Sequence, residues 1–198
     1  MAKGQETKGR ILDTAFRLAA RDGLEGLSLS GLATELQMSK SGLFAHFGSK
    51  EELQIAMLRT ASEQFVAHVL LPSFQKPRGL PRVKALFDNW RRWAADPSLP
   101  GGCIFVAAAA ELDDREGPVR DYVVRQAHDL LQTIARAAQI AVEEGHFRKD
   151  LDVDQFAFEL HGIYLSFHDA HRLLRDGKAE QRARRAWARL LEDAGARS

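Results

Sequence analysis

Three histidines, His161, His168 and His171, fall within one helical stretch near the end of the chain, with Asp169 beside them. His161 and His168 are two turns apart on one face, and His171 is one turn further. Imidazoles so spaced can ligate a metal when a second helix adds ligands. No HExxH pattern or paired cysteines accompany them, so histidines lining a helical pocket or a dimer seam are the simpler reading. The single cysteine, Cys103, follows Gly101-Gly102. At a helix N-terminus its thiol would be acidified and could sense oxidants, yet a lone cysteine more commonly serves as a small buried apolar residue. One cysteine permits no internal disulfide and no multi-cysteine metal site. No glycine-rich phosphate loop, Ser-His-Asp order or paired carboxylates stand out, and Asp113-Asp114 reads as turn chemistry. The expectation is a non-enzyme with no metal and no other cofactor.

A different chemistry is concentrated in Ser28 to Leu53, SLSGLATELQMSKSGLFAHFGSKEEL. Three short helices are packed into this stretch, with a turn of three to four residues around Gln37-Met38-Ser39, the layout of a helix-turn-helix. Leu32, Leu36, Met38 and Leu43 would form its small core, and Ala33 is small where the helices approach. Ser28 and Ser39 suit N-caps. The second helix then projects Lys40, Ser41, Gly42, Phe44 and His46, and the small residues at 41 and 42 let its backbone come near a groove. Lys40 and Lys50 supply charge for phosphates, and the Lys50 end is itself a helix start, a natural anion site. Phe44 could meet a thymine methyl or instead fill the small core; both readings stand.

Helical periodicity extends over nearly the whole chain. Ile11, Leu12, Ala15, Phe16 and Ala19 make one stripe of a first helix, which Asp22-Gly23 should end. Ser49 followed by Glu52 fits a capping box opening a long fourth helix through Leu53, Met57, Phe65, Val69 and Leu70. The run Pro72 to Pro81 breaks it. A fifth helix carries Val83, Leu86, Phe87, Trp90 and Trp93, and Pro97, Pro100, Gly101 and Gly102 close it. The alanine-rich segment 103–112 favours helix over strand. A long helix from Pro118 to about Glu144, another from Val153 to about Arg175 capped by Asp152, and a last one bearing Trp187, Leu190 and Leu191 complete the pattern. The arginines at 182, 184, 185 and 189 read as the solvated face of that last helix rather than a second nucleic-acid patch. The fold class is all-α: an N-terminal three-helix DNA-binding domain, residues 1–50, and a C-terminal helical bundle, 51–198.

Composition agrees. Of 198 residues 45% are hydrophobic, enough to bury a sizeable core, and the formal net charge is +1. Balanced charge argues against a histone-like polyanion binder but leaves room for a local basic face. The opening MAKGQETKGRIL has no apolar stretch, and charges interrupt every long apolar run. A cytoplasmic protein with no secretory signal and no membrane span is expected.

Residues 8–55 resemble the tetracycline-repressor family of bacterial regulators. RILDTAFRLAARDGLEGLSL is similar to the family's first helix, glycine turn and cap, and LATELQMSKSGLFAHFGSKEEL to its second, third and fourth helices. The aromatic-x-His-Phe followed by Ser-Lys-Glu-Glu-Leu is the most specific part. Four positions depart from the family's habit. Gln37 stands where glycine is common and would cost about 1 kcal/mol more if the backbone there needs positive φ. Phe44 and Ala45 replace tyrosines whose hydroxyls reach phosphates, and Gly42 replaces threonine. The phosphate role therefore shifts to Lys50, Ser39 and Ser41.

The resemblance implies a repressor released from a near-palindromic double-stranded DNA operator by a small-molecule effector. Ser28, Ser39, Lys40, Ser41, Gly42, Phe44, His46 and Lys50 would form the DNA face. Trp90, Trp93, Phe105, Tyr122, Tyr164 and His168 would lie on helices that wall the effector cavity. The helix from Val153 to Arg175 is apolar almost all round, with Phe156, Phe158, Leu160, Ile163, Leu165 and Phe167. Such a helix needs cover on both sides, and a homodimer through helices at about 152–195 supplies it. Two rivals come from other classes. An enzyme or lipid binder would use the aromatic cavity without a phosphate-facing surface at 39–50, and an accessory DNA-binding protein would have a filled core.

Overall fold

The computed structural model describes residues 2–99 and 101–196, with side chains described from residue 4. Its elements are α1 (Ala2–Gly26), α2 (Leu29–Glu35), α3 (Lys40–Phe47), α4 (Lys50–Phe65), a π-helical turn (Val66–Leu70), α5 (Leu71–Phe74), α6 (Leu80–Ala95), α7 (Ile104–Leu112), α8 (Pro118–Glu143), α9 (Val153–Arg172) and α10 (Ala179–Asp193). Among the described residues there is no strand.

Local chemistry explains most of the boundaries. Gly23 breaks the regular helix of α1 with φ 81°, a conformation that a Cβ disfavours. Ser28, Ser39 and Asp152 cap α2, α3 and α9, each accepting backbone N–H bonds in the first turn. Ser49 Oγ accepts from Glu52 N at 3.0 Å, the serine half of the expected capping box. The expected long fourth helix is interrupted at its end. Pro72 has no N–H for the carbonyl four residues back, and the turn Val66–Leu70 winds wider before α5. Nearby, the Val69 carbonyl accepts from Ser73 Oγ at 2.6 Å and Asn89 Nδ2 at 3.3 Å. Helix α6 stops at Asp96, which turns extended immediately before Pro97. Pro100, also expected to close α6, lies outside the described residues. Helix α9 ends at Arg172, three residues earlier than expected, and Arg175 then takes φ 49°.

The chain forms two compact units, which divide differently from the expected boundary at residue 50. The first comprises residues 1–64 and 104–125, the second 65–103 and 126–198. Position 50 opens α4, whose Leu53, Met57, Leu58 and Ala61 are buried with Ile11, Leu32 and Leu43 in the first core. The helix cannot leave that unit until this apolar face has ended. Ile104, Ala108, Leu112, Val119 and Val123 belong to the same core.

The second core is aromatic and alanine-rich. Phe87 stacks on Trp187 at 4.8 Å between centroids and Trp90 on Tyr164 at 4.1 Å. Ala135, Ala137, Ala138 and Ala141 of α8 are buried around them, small enough for helices to approach closely. Burying each such large ring contributes on the order of 2–3 kcal/mol, and the stacked geometry adds to it.

Candidate nucleic-acid interface

Between α2 and α3 the backbone makes a Schellman turn: Met38 N bonds Ala33 O at 2.9 Å and Gln37 N bonds Thr34 O at 3.1 Å. Gln37 occupies the left-handed position of that motif at φ 53°. The positive φ considered for this site is therefore present, with a side chain where glycine would be unstrained. Leu32 and Leu43 are fully buried across the turn, while Leu36 and Met38 are half-buried against the same core.

This turn delivers α3 with one face outward. Lys40, Ser41 and Phe44 are exposed, Gly42 and His46 are half-buried, and Leu43 and Phe47 are buried. Phe44 is 48% exposed, which decides between its two readings: Leu43 and Phe47 fill the core and Phe44 stands at the surface. Ser39 Oγ accepts from Gly42 N at 3.0 Å and lies 3.3 Å from Ser41 Oγ. A Cβ at residue 42 would meet Ser39 Oγ at 3.0 Å, so glycine there also makes room for the cap. Ser28 Oγ is likewise engaged by Gly31 N at 3.0 Å. Accepting at a cap leaves a serine its O–H to donate, but one of the Ser39 and Ser41 hydroxyls directs its own at the other.

Lys50 is not a free cation. Its Nζ donates to the Glu25 carbonyl at 2.9 Å, which fixes the ammonium beside the α1–α2 turn and leaves two further N–H donors. Sequence reading missed Lys8, whose Nζ stands 5.5 Å over the Phe47 ring. Nothing in the chain order could have placed it beside α3, because the contact spans about forty residues.

Of the six residues expected around an effector cavity, Trp90, Trp93, Tyr164 and His168 belong to the second unit and Phe105 and Tyr122 to the first. Trp90 and Tyr164, 3% and 2% exposed, stack on each other, with Phe167 edge-on to Trp90 at 6.3 Å. Rings 4.1 Å apart leave no space for a ligand between them. Phe105 and Tyr122 pack against the core of the first unit, because α7 and the start of α8 fold with it. Trp93 stacks with His68 at 5.7 Å and lines an open groove of about 480 Å³ with Asn89, Arg92 and Asp96. Its indole N–H is buried without a hydrogen-bond partner, and so is His168 Nε2. Burial, and after it the neighbouring Arg172, holds the His168 imidazole below its ordinary pKa.

Among the described residues no three His, Cys, Asp or Glu side chains gather as a metal site, and no helix is long and apolar enough to cross a membrane. Arg182 and Arg184 pair with Asp176, Glu180 and Asp88, consistent with a solvated helix face.

Similarity to known proteins agrees with this geometry. The family described as "Bacterial regulatory proteins, tetR family" matches residues 11–57, and "Tetracyclin repressor-like, C-terminal domain" matches residues 79–187. The HTH-type transcriptional repressor NemR of Escherichia coli (strain K12) is 23% identical over 137 residues, 68% of each chain. A TetR transcriptional regulator from Chloroflexus aurantiacus J-10-fl aligns with a TM-score of 0.85 at 26% identity, over 97% of this chain and 96% of that one. AibR, solved in complex with isovaleryl coenzyme A and operator DNA, shares the fold with a TM-score of 0.74 at 24% identity, over 89% and 94% of the two chains. The outward α3, its capped start and two family matches that together cover most of the chain place this protein in the tetracycline-repressor family, as a DNA-binding transcriptional regulator.

Proposed function

We propose that the protein is a ligand-responsive repressor that binds a near-palindromic operator as a homodimer and releases it when a small molecule occupies the second unit. The observation that carries the reading is the exposed face of α3, where Lys40, Ser41 and Phe44 stand clear of the core behind the Ser39 cap. Lys40 and Phe44 are assigned to base edges, with Phe44 suited to a thymine methyl. Ser28, Ser39, Ser41, Lys50 and the amides near residue 50 are assigned to phosphates. Gly42 admits the backbone to the groove, and His46 flanks it.

A homodimer is supported by α9. Phe158 is 68% and Leu165 41% exposed on a helix whose Phe156, Leu160 and Phe167 are buried. Between α9 and α10 runs a groove of about 670 Å³ lined by Ile163, Phe167, Ala183 and Leu190. A two-fold copy of the same helices covers both. For the effector, Trp93 and His168 are carried forward as contacts, since each holds a buried nitrogen without a partner. Trp90 and Tyr164 back them as wall. NemR bears the name of a repressor, and AibR was captured with both an acyl-coenzyme A and operator DNA; both favour a ligand-responsive repressor over an enzyme. DNA and effector prefer different states of the dimer, and their affinities are coupled reciprocally. The protein acts in the cytoplasm, where its operator is.

The test is selection of bound duplexes from a random pool by the purified chain, followed by footprinting of its genome. A two-fold symmetric site with half-sites about one or more duplex turns apart is expected. Enrichment of no sequence, or of an asymmetric single site, would sink the reading.

A further inference from the structure

Leu24 and Glu25, in the last turn of α1 after its break at Gly23, are held from four directions. Their N–H groups donate to the two carboxylate oxygens of Glu111, on α7, at 3.1 Å each. The Leu24 carbonyl accepts from the buried Gln54 Nε2 at 2.7 Å, and the Glu25 carbonyl from Lys50 Nζ at 2.9 Å. Arg115 adds an ion pair to the Glu25 side chain at 2.8 Å. Gly23 makes the approach possible. A Cβ there would meet both Glu111 oxygens at 2.9 Å, and φ is +81°. A carboxylate accepting two backbone N–H bonds is a charge-assisted clamp, stronger than a pair of neutral bonds.

This turn leads directly into α2 and so sets where the helix-turn-helix begins.

We propose that Glu111 is a positioning residue for operator binding: its carboxylate sets the α1–α2 turn, and with it the stance of α2 and α3. The proposal rests on the operator-binding reading above. Glu111 itself touches no DNA in this scheme.

The experiment uses the full-length protein and the duplex that the wild type selects. Glu111→Ala should weaken that duplex at least tenfold, with the dimer intact and helical content unchanged. The Leu24 and Glu25 amides should exchange hydrogen faster. Glu111→Gln keeps the length and one acceptor, so it should fold even where alanine does not and lose about threefold. Operator affinity within twofold of wild type for both Glu111 variants overturns the proposal. So does weakened binding with unchanged amide exchange. If the wild type selects no duplex, the operator reading fails first and this proposal with it; selection by the wild type with unaltered binding by Glu111→Ala removes this proposal alone.

Discussion

Phe44 and Tyr164 are both aromatic residues on helices that were expected to meet a partner molecule, and they end in opposite surroundings. Phe44 stands at the surface of the first unit, flanked by Lys40 and Ser41. Tyr164 is closed in the second unit under Trp90, with burial pushing its phenol pKa upward. A DNA-reading surface needs side chains that project past a small, complete core, and α3 is short enough to supply both from one turn of chain. A ligand-sensing interior needs faces from several helices to stay apart. Side chains apolar enough to line a cavity are also apolar enough to close it. Surface recognition is therefore visible residue by residue, whereas a cavity depends on where packing stops.

The largest expected effect tests what holds the second unit's partner face. Leu165→Glu places a charge on the exposed apolar side of α9, and sedimentation should find monomers or aggregates in place of dimers. A dimer of wild-type stability would mean that α9 is not the seam. Next, Trp90→Ala removes a ring that fills the second core rather than lining open space. It should cost about 3–5 kcal/mol in denaturant unfolding. A loss below about 1 kcal/mol, with effector response abolished, would show instead that Trp90 faces a cavity and would weaken the contrast with Phe44.

In the first unit, Lys50→Ala should weaken binding to all duplexes about equally and lower the salt slope by roughly one unit. The same change frees the Glu25 carbonyl, so a loss of affinity with an unaltered salt slope would assign Lys50 to the turn and not to phosphate. Gln37→Gly should raise stability by about 1 kcal/mol, because only the left-handed strain at φ 53° is relieved; thermal unfolding reads it, and a destabilised variant would contradict the strain.

The smallest effect is one of pH and belongs to the second unit. Burial holds His161 below the ordinary imidazole value of 6.5, and burial followed by Arg172 holds His168 there too. Below about pH 6.5 the unfolded chain then binds more protons than the folded one. Stability is complete above that value and is lost as pH falls toward the folded pKa values. Urea midpoints at pH 7.5 and 5.5 should diverge for the wild type and diverge less in His161→Gln, where His168 remains; equal divergence in both would clear His161 of the effect.

Several features lay open in the chain order because they are local. Serine caps at 28, 39 and 49, the glycine break at 23, the proline stops and the 3.6-residue stripes each involve neighbours within one or two turns, so residue type and spacing were sufficient. The Schellman turn at Gln37 was legible as a possibility, and the outward face of α3 followed from the same short stretch. What the tertiary structure alone decided was every question that crosses the chain. It settled that Phe44 stays outside while Leu43 and Phe47 go in. It assigned Phe105 and Tyr122 to the first core, and stacked Trp90 on Tyr164 in the second. It brought Glu111 to two amides more than eighty residues earlier. Burial and long-range pairing depend on which helix faces meet, and an amphipathic stripe records that a face will be covered without recording by what.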